Sequence, residues 1–213
     1  VVKLYVEGGG DTAAQKSACR EGFTKFIERA GLKDNMPRIV ACGSRRDAYE
    51  SFCTALASGD AAILLVDSEA PIAAIHQTGS PDTWLPWQHL AQREGDHWAK
   101  PVNAANTDCH LMAQCMESWL LADSATLKAY FAQGFKENAL PAASSSAPET
   151  MAKPQLYRAL AKATSDCKTK DPYSKGQHSF KLLGLIDPAK VAAAAPWANR
   201  FIQTLHAQAR PSH

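Results

Sequence analysis

Lys3-Leu-Tyr-Val-Glu7-Gly-Gly-Gly-Asp11 is an apolar run that ends on an acid and passes into a glycine turn, the pattern of a buried strand leaving a sheet. A second run, Ala61-Ala-Ile-Leu-Leu-Val-Asp67, also ends on an acid, with Glu69 two residues further on. Between them the pattern predicts a helix from about Asp11 to Ala30, closed by Gly31. Arg38-Ile-Val-Ala-Cys42 follows Pro37 as a short strand, and Ser44 is placed to N-cap a helix over Arg45–Leu56, with Gly59 past its end. Strands alternating with helices at this spacing predict an α/β fold with a mostly parallel sheet and right-handed crossovers. In such a sheet the carboxyl ends of neighbouring strands open into one crevice, so acids placed there converge.

Five acids are candidates for that crevice: Glu7, Asp11, Asp67, Glu69 and Glu117. Converging carboxylates repel unless a cation lies between them, and an all-oxygen donor set suits Mg²⁺ or Mn²⁺. Asp67 and Glu69 would point to one side in extended geometry. Asp11 and Asp67 also have plainer readings, as a helix cap and a turn former, whereas capping explains Glu7 poorly because it precedes the turn. Gly8, Gly9 and Gly10 let the backbone approach a ligand closely and are a candidate phosphate cradle. The loop is neither a P-loop, lacking Gly-Lys-Ser/Thr, nor a GxGxxG motif.

Past Asp67 the pattern loosens. Residues 70–107 carry several prolines and the Trp84-Leu-Pro-Trp87 and His97-Trp98 clusters, with a short helix near Trp87–Arg93. His110–Met116 reads as a fourth strand feeding Glu117, and Ser124 as the cap of a helix through Phe131. Residues 141–150 read as a low-complexity linker. Beyond it the pattern is helical, at about 152–165, 178–184 and 197–209, with Asp187 and Pro188 marking another helix start. The expected organisation is therefore a core over 1–140 with a Trp-rich insert, a linker over 141–150, and a helical, basic part over 151–213 packing on the core.

The bulk composition narrows the setting. The chain has 213 residues, 46% of them apolar, enough for one α/β domain with a helical extension. No apolar run approaches the roughly 20 residues that cross a bilayer, and no secretory pattern is visible, so the cytoplasm is the expected location. The six cysteines are scattered with no CxxC pair, which argues against a disulfide framework or zinc knuckle, and His110 and Cys115 read as buried structural residues. Net charge is only +2, but seven basic residues lie between Met151 and Lys181 against Asp166 and Asp171. A basic segment beside an acidic crevice suits a phosphate-bearing ligand, or is simply a solvated lysine face.

The order acid–glycines–helix, then strand–Asp-x-acid, resembles the TOPRIM fold of topoisomerases, primases and related nucleases. Most of the chain more closely resembles a bacterial family, "domain of unknown function 4276", itself considered TOPRIM-like. The matching stretches are Leu4-Tyr-Val-Glu-Gly-Gly-Gly-Asp11, Leu65-Val-Asp-Ser-Glu69, His110 to Trp119 with Leu-Ala-Asp123, and Tyr173-Ser-Lys-Gly-Gln-His-Ser-Phe180. The resemblance implies a TOPRIM-like core with a helical C-terminal part, in a bacterial defence setting beside a partner ATPase. By position it equates Glu7 with the TOPRIM glutamate, Asp67 with the first acid of Asp-x-Asp, and Asp11 with a further acid of the related nucleases. Position 69 departs from that pattern, being Glu where the motif has Asp.

The leading expectation is a Mg²⁺- or Mn²⁺-dependent phosphodiester hydrolase acting on nucleic acid. Asp67, Glu69 and Glu117 would hold metal, Glu7 and Asp11 would complete the site, and the metal would activate water. Lys175 or His178, from a mobile stretch over Tyr173–Phe180, would serve as cation or general acid, unless that stretch is only a helix-start turn. The alternative is a non-catalytic sensor or adaptor that binds an ATPase or a phage-derived ligand through Trp84–Trp98. A small-molecule phosphotransferase is a third reading, and it requires a base-recognition pocket.

Overall fold

The computed structural model describes residues 1–141 and 148–209. The first part is β1 (Lys3–Val6), α1 (Ala13–Ile27), β2 (Arg38–Ala41), α2 (Arg45–Ala57) and β3 (Ala62–Asp67). Then come α3 (Pro86–Gln92), β4 (Cys109–Met112), α4 (Glu117–Leu120) and α5 (Ser124–Phe131). The C-terminal helices are α6 (Lys153–Thr164), α7 (Lys175–Leu183), α8 (Pro188–Ala194) and α9 (Pro196–Ala209). No helix among the described residues is long and apolar enough to cross a membrane.

The four strands form one parallel sheet in the order β2-β1-β3-β4. After β2 the chain crosses back over β1 to build β3, so the topology reverses between β1 and β3. Ligand crevices of open α/β sheets lie at such a switch point, beyond the carboxyl ends of the strands.

Strand side chains alternate between two faces. Leu4, Val6, Ile63, Leu65 and Met112 pack with α1 and the helices from α5 to α9 in one core cluster. Tyr5, Leu64, Val66 and Leu111 pack on the other face under α2, α3, Trp84 and Trp87. The tryptophan insert is thus largely interior: Trp84 and Trp87 are buried, and Trp87 Nε1 donates to the Ala105 carbonyl at 2.9 Å. All six cysteines are unpaired.

Several boundaries move from the sequence expectation. Thr12, not Asp11, caps α1, in a reciprocal box with Gln15. β4 ends at Met112 because Gln114 takes a φ of 52° and turns the chain out of the sheet. Asp123, not Ser124, caps α5, accepting from the Thr126 N–H. Helix α7 begins at Lys175 instead of 178, so the stretch read as mobile is a helix start with Tyr173 buried beneath it.

Of the expected linker, residues 142–147 lie outside the described residues, and Pro148–Thr150 form a 3₁₀ turn. Glu149 of that turn accepts from the Trp197 and Ala198 N–H groups and so caps α9. Burial outweighs those two donors and pushes its carboxyl up to about 7.

Candidate active site

Glu7 follows β1 and Asp67 ends β3, so the parallel register places both at the switch point. Their contact is direct, with the Asp67 N–H donating to Glu7 Oε2 at 2.9 Å. Glu69 joins them by a route that the extended reading missed. Its φ is 60°, a left-handed turn that brings its carboxylate back toward Asp67. One oxygen from each of Glu7, Asp67 and Glu69 lies within 4.8 Å of the others.

Glu117, at the start of α4, stands beside this trio. Its Oε1 accepts from the hydroxyls of Ser179 at 3.0 Å and Tyr173 at 3.3 Å. Its Oε2 is fully buried and makes no close hydrogen bond among the described residues, with the buried Tyr157 hydroxyl beside Glu117. Lys175 Nζ lies between the two groups, 3.9 Å from Asp67 Oδ2 and 4.0 Å from Glu117 Oε1.

Two further cations complete the arrangement, Lys153 from the basic C-terminal segment and Arg45, which the sequence did not mark. Lys153, the first residue of α6, is 2.7 Å from Glu69 and 3.7 Å from Asp67. Arg45, the first residue of α2, donates to the Asp67 carbonyl, pairs with Asp96, lies 3.5 Å from Glu7, and sits over the Trp98 ring at 5.0 Å. Arg45 occupies the carboxyl end of β2 and was legible by the rule that found the acids. Lys153 follows the linker and belongs to the basic segment expected beside the crevice, but no local pattern singles it out from the other six basic residues.

The charges are incompletely matched. Asp67 is 2% exposed, and burial first, then the Glu7 charge, pushes its carboxyl well above the usual range. Burial likewise raises Glu7 against the pull of Arg45. Glu69 goes the other way, because the hydrogen bond and charge of Lys153 together outweigh burial. Burial alone would lower Lys175 and Lys153, but the surrounding carboxylates outweigh it and hold both above their ordinary value.

The glycine loop, the Lys175 end of α7 and the acids enclose a cavity of about 360 Å³, whose walls include Gly8, Gly9, Gly10, Met116 and Phe180. Its shape depends on α7 lying hard against α1. A Cβ on Gly22 of α1 would come within 2.5 Å of the Phe180 carbonyl oxygen, so glycine is required at that crossing. A second, wider hollow of about 740 Å³ lies on the other side of Glu7, lined by Arg45, Glu69, Arg93 and Trp98 among others.

Two expected site residues are elsewhere. Asp11 is exposed and outside the converging trio. His178 is buried among the rings of Tyr130, Phe131 and Tyr173, and its Nδ1 accepts the Ser174 N–H at 3.0 Å. Burial lowers its pKa, so it is a neutral helix-start residue. The glycine loop offers less of a phosphate cradle than its sequence suggests, since the Gly8 N–H donates to Gly43 and α1 caps its own N-terminus.

The donor set fits a hard divalent cation. It is all oxygen, and it includes two carboxyls raised by burial. Glu7, Asp67 and Glu69 would hold such an ion, with Glu117 as the next carboxylate in reach.

Residues 6–206 match the family described as "Domain of unknown function (DUF4276)". No curated protein and no solved structure matches the chain.

Proposed function

We propose that the chain, which belongs to the DUF4276 family over nearly all its length, is a divalent-metal-dependent phosphodiester hydrolase acting on nucleic acid, with a TOPRIM-like site. The observation that carries this reading is the convergence of Glu7, Asp67 and Glu69 at the switch point, with Asp67 buried and under-compensated. Mg²⁺ or Mn²⁺ bound there would lower the pKa of water and offset charge on the scissile phosphate.

The chain's own residues have separable tasks. Asp67 and Glu7 orient each other through the Asp67 N–H, and the Met116 N–H fixes Asp67 Oδ1 at 2.8 Å. Lys175 is positioned to meet a phosphate oxygen, since it is the site cation held least closely, at 3.9 Å from its nearest carboxylate oxygen. Hydrolysis forms a bond from water oxygen to phosphorus and breaks the ester P–O bond. The attacking water releases a proton to solvent, and the departing oxygen gains one from solvent or from the Lys175 ammonium. Arg45 holds Glu7 and the Asp67 carbonyl in place from the β2 side.

A second reading has its own observation. Lys153 already pairs with Glu69 at 2.7 Å, the compensation expected of a site that holds no metal. On that reading the chain is a TOPRIM-like adaptor for a partner such as an ATPase. Burial of Trp84 and Trp87 narrows the contact surface open to this alternative to the half-buried Trp98 and its surroundings.

The deciding experiment is cleavage of plasmid and single-stranded DNA with Mg²⁺ or Mn²⁺, beside Asp67→Ala and Glu7→Ala. Metal-dependent cutting lost in both variants supports the hydrolase. Absence of both cutting and Mn²⁺ binding in the parent chain sinks it.

A further inference from the structure

The cavity beside the acids is bordered by an exposed glycine. Gly176 is the second residue of α7 and lines the cavity. Its backbone is helical, without the positive φ that would call for glycine, and a Cβ there would meet no atom of another part of the described residues within 4 Å. Gly176 is exposed in the first turn of α7, so a side chain added there would extend into open space at the cavity wall. Gly22 makes the contrast, since there the chain supplies the obstacle.

The walls of the cavity differ from its acidic edge. Ala18, Met112, Met116 and Phe180 form an apolar surface, while Gln15 and Lys175 supply polar groups. At about 360 Å³ the space lies at the small end of ligand pockets, which run roughly 300–1,000 Å³, a size for one small ligand unit and not a duplex. Glu7 and Asp67 line the same space, so a group seated there is next to the proposed reacting phosphate.

We infer that this cavity seats one nucleobase of the substrate, flat against the Met116 and Phe180 side, and that Gly176 lacks a side chain to leave room for it. The inference rests on the hydrolase reading for its substrate class and adds a requirement for an unpaired nucleotide at the site. A base in the seat is out of any duplex stack, so single strands, ends or extruded nucleotides are the substrates. Aromatic and apolar walls bind any base through its face, with modest sequence preference.

The test is calorimetric titration of the full chain with AMP, GMP, CMP, UMP and inorganic phosphate in the presence of Mn²⁺, for the parent and for Gly176→Leu. At least one nucleotide should bind about tenfold tighter than phosphate, and leucine should erase that margin while Mn²⁺ binding without nucleotide is retained. The inference is overturned if no nucleotide outdoes phosphate, or if Gly176→Leu keeps the margin. Should leucine prevent folding, Gly176→Ala carries the same comparison, because its methyl meets no neighbour within 4 Å. Nucleotide binding without DNA cleavage would leave the seat standing and remove the hydrolase. Cleavage without any preference for nucleotide over phosphate would do the reverse.

Discussion

Two buried charged clusters lie at opposite ends of the sheet, and they are built differently. At the amino end of β4, Arg200 of α9 is 1% exposed, yet its guanidinium has partners throughout. Nε donates to Pro81, Nη2 to Asn106, and Nη1 to the Cys109 carbonyl and to Nδ1 of His110. His110 in turn donates from Nε2 to Thr107, and burial followed by the Arg200 charge keeps it neutral. At the carboxyl ends of β1 and β3, by contrast, Asp67 and Glu7 face each other with raised pKa values, and one oxygen of Glu117 makes no close hydrogen bond among the described residues. A buried charge whose hydrogen bonds are complete fastens the fold. One left in conflict with its neighbours is stabilised by whatever arrives to relieve it.

The largest effect expected from this contrast is on stability at the Arg200 end. Arg200→Met should cost about 3–5 kcal/mol in urea unfolding, because four acceptors lose their donor in the interior. A cost below about 1 kcal/mol would mean that the node is no anchor. The Glu149 cap of the same helix gives a pH test. Its carboxyl moves from the ordinary 4.5 to about 7 in the fold. The unfolded chain therefore releases its proton first, and stability should fall as pH rises from 4.5 to about 7, by up to about 3 kcal/mol, and level off above. Glu149→Gln should flatten that slope in melts across the same range.

The acid cluster should behave in the opposite way. Asp67→Asn keeps an acceptor for the Met116 N–H while removing a repelled charge. It should leave the melting temperature unchanged or raised, yet cut hydrolysis by at least about a hundredfold, or about 2.7 kcal/mol. Lost stability with retained activity would invert the comparison. Lys153→Met sharpens it further: removing the cation paired with Glu69 should tighten Mn²⁺ binding about tenfold by calorimetry. The smallest effect is at Gly176→Ala, which should stabilise the fold by about 0.5 kcal/mol. A destabilisation there would point to a constraint within the chain.

The course of the chain through the sheet was legible because strand and helix periodicities are local. The apolar runs at Lys3–Val6 and Ala62–Asp67, the Ser44 cap and the Gly31 stop all stand where the pattern puts them. The fourth strand was overread because His110–Met116 is apolar throughout, and hydropathy does not register a backbone that turns at Gln114. His178 looked catalytic because histidine beside lysine and glycine suggests a mobile acid. Only the packing of Tyr130 and Phe131 around its ring shows it as a structural residue.

The amino-acid sequence by itself determined that acids end β1 and β3 of a parallel sheet, since both facts follow from residue order and from the crossover rule. Tertiary structure decided which charges meet. Glu69 arrives through a left-handed turn, Lys153 and Lys175 come from helices some 84 and 108 residues beyond their partners Glu69 and Asp67, and Asp11 is left in solvent. The reason is range. Backbone periodicity is set by neighbours within a few residues. The potential at a buried carboxylate is instead set by every charge within several ångströms, whatever its place in the chain.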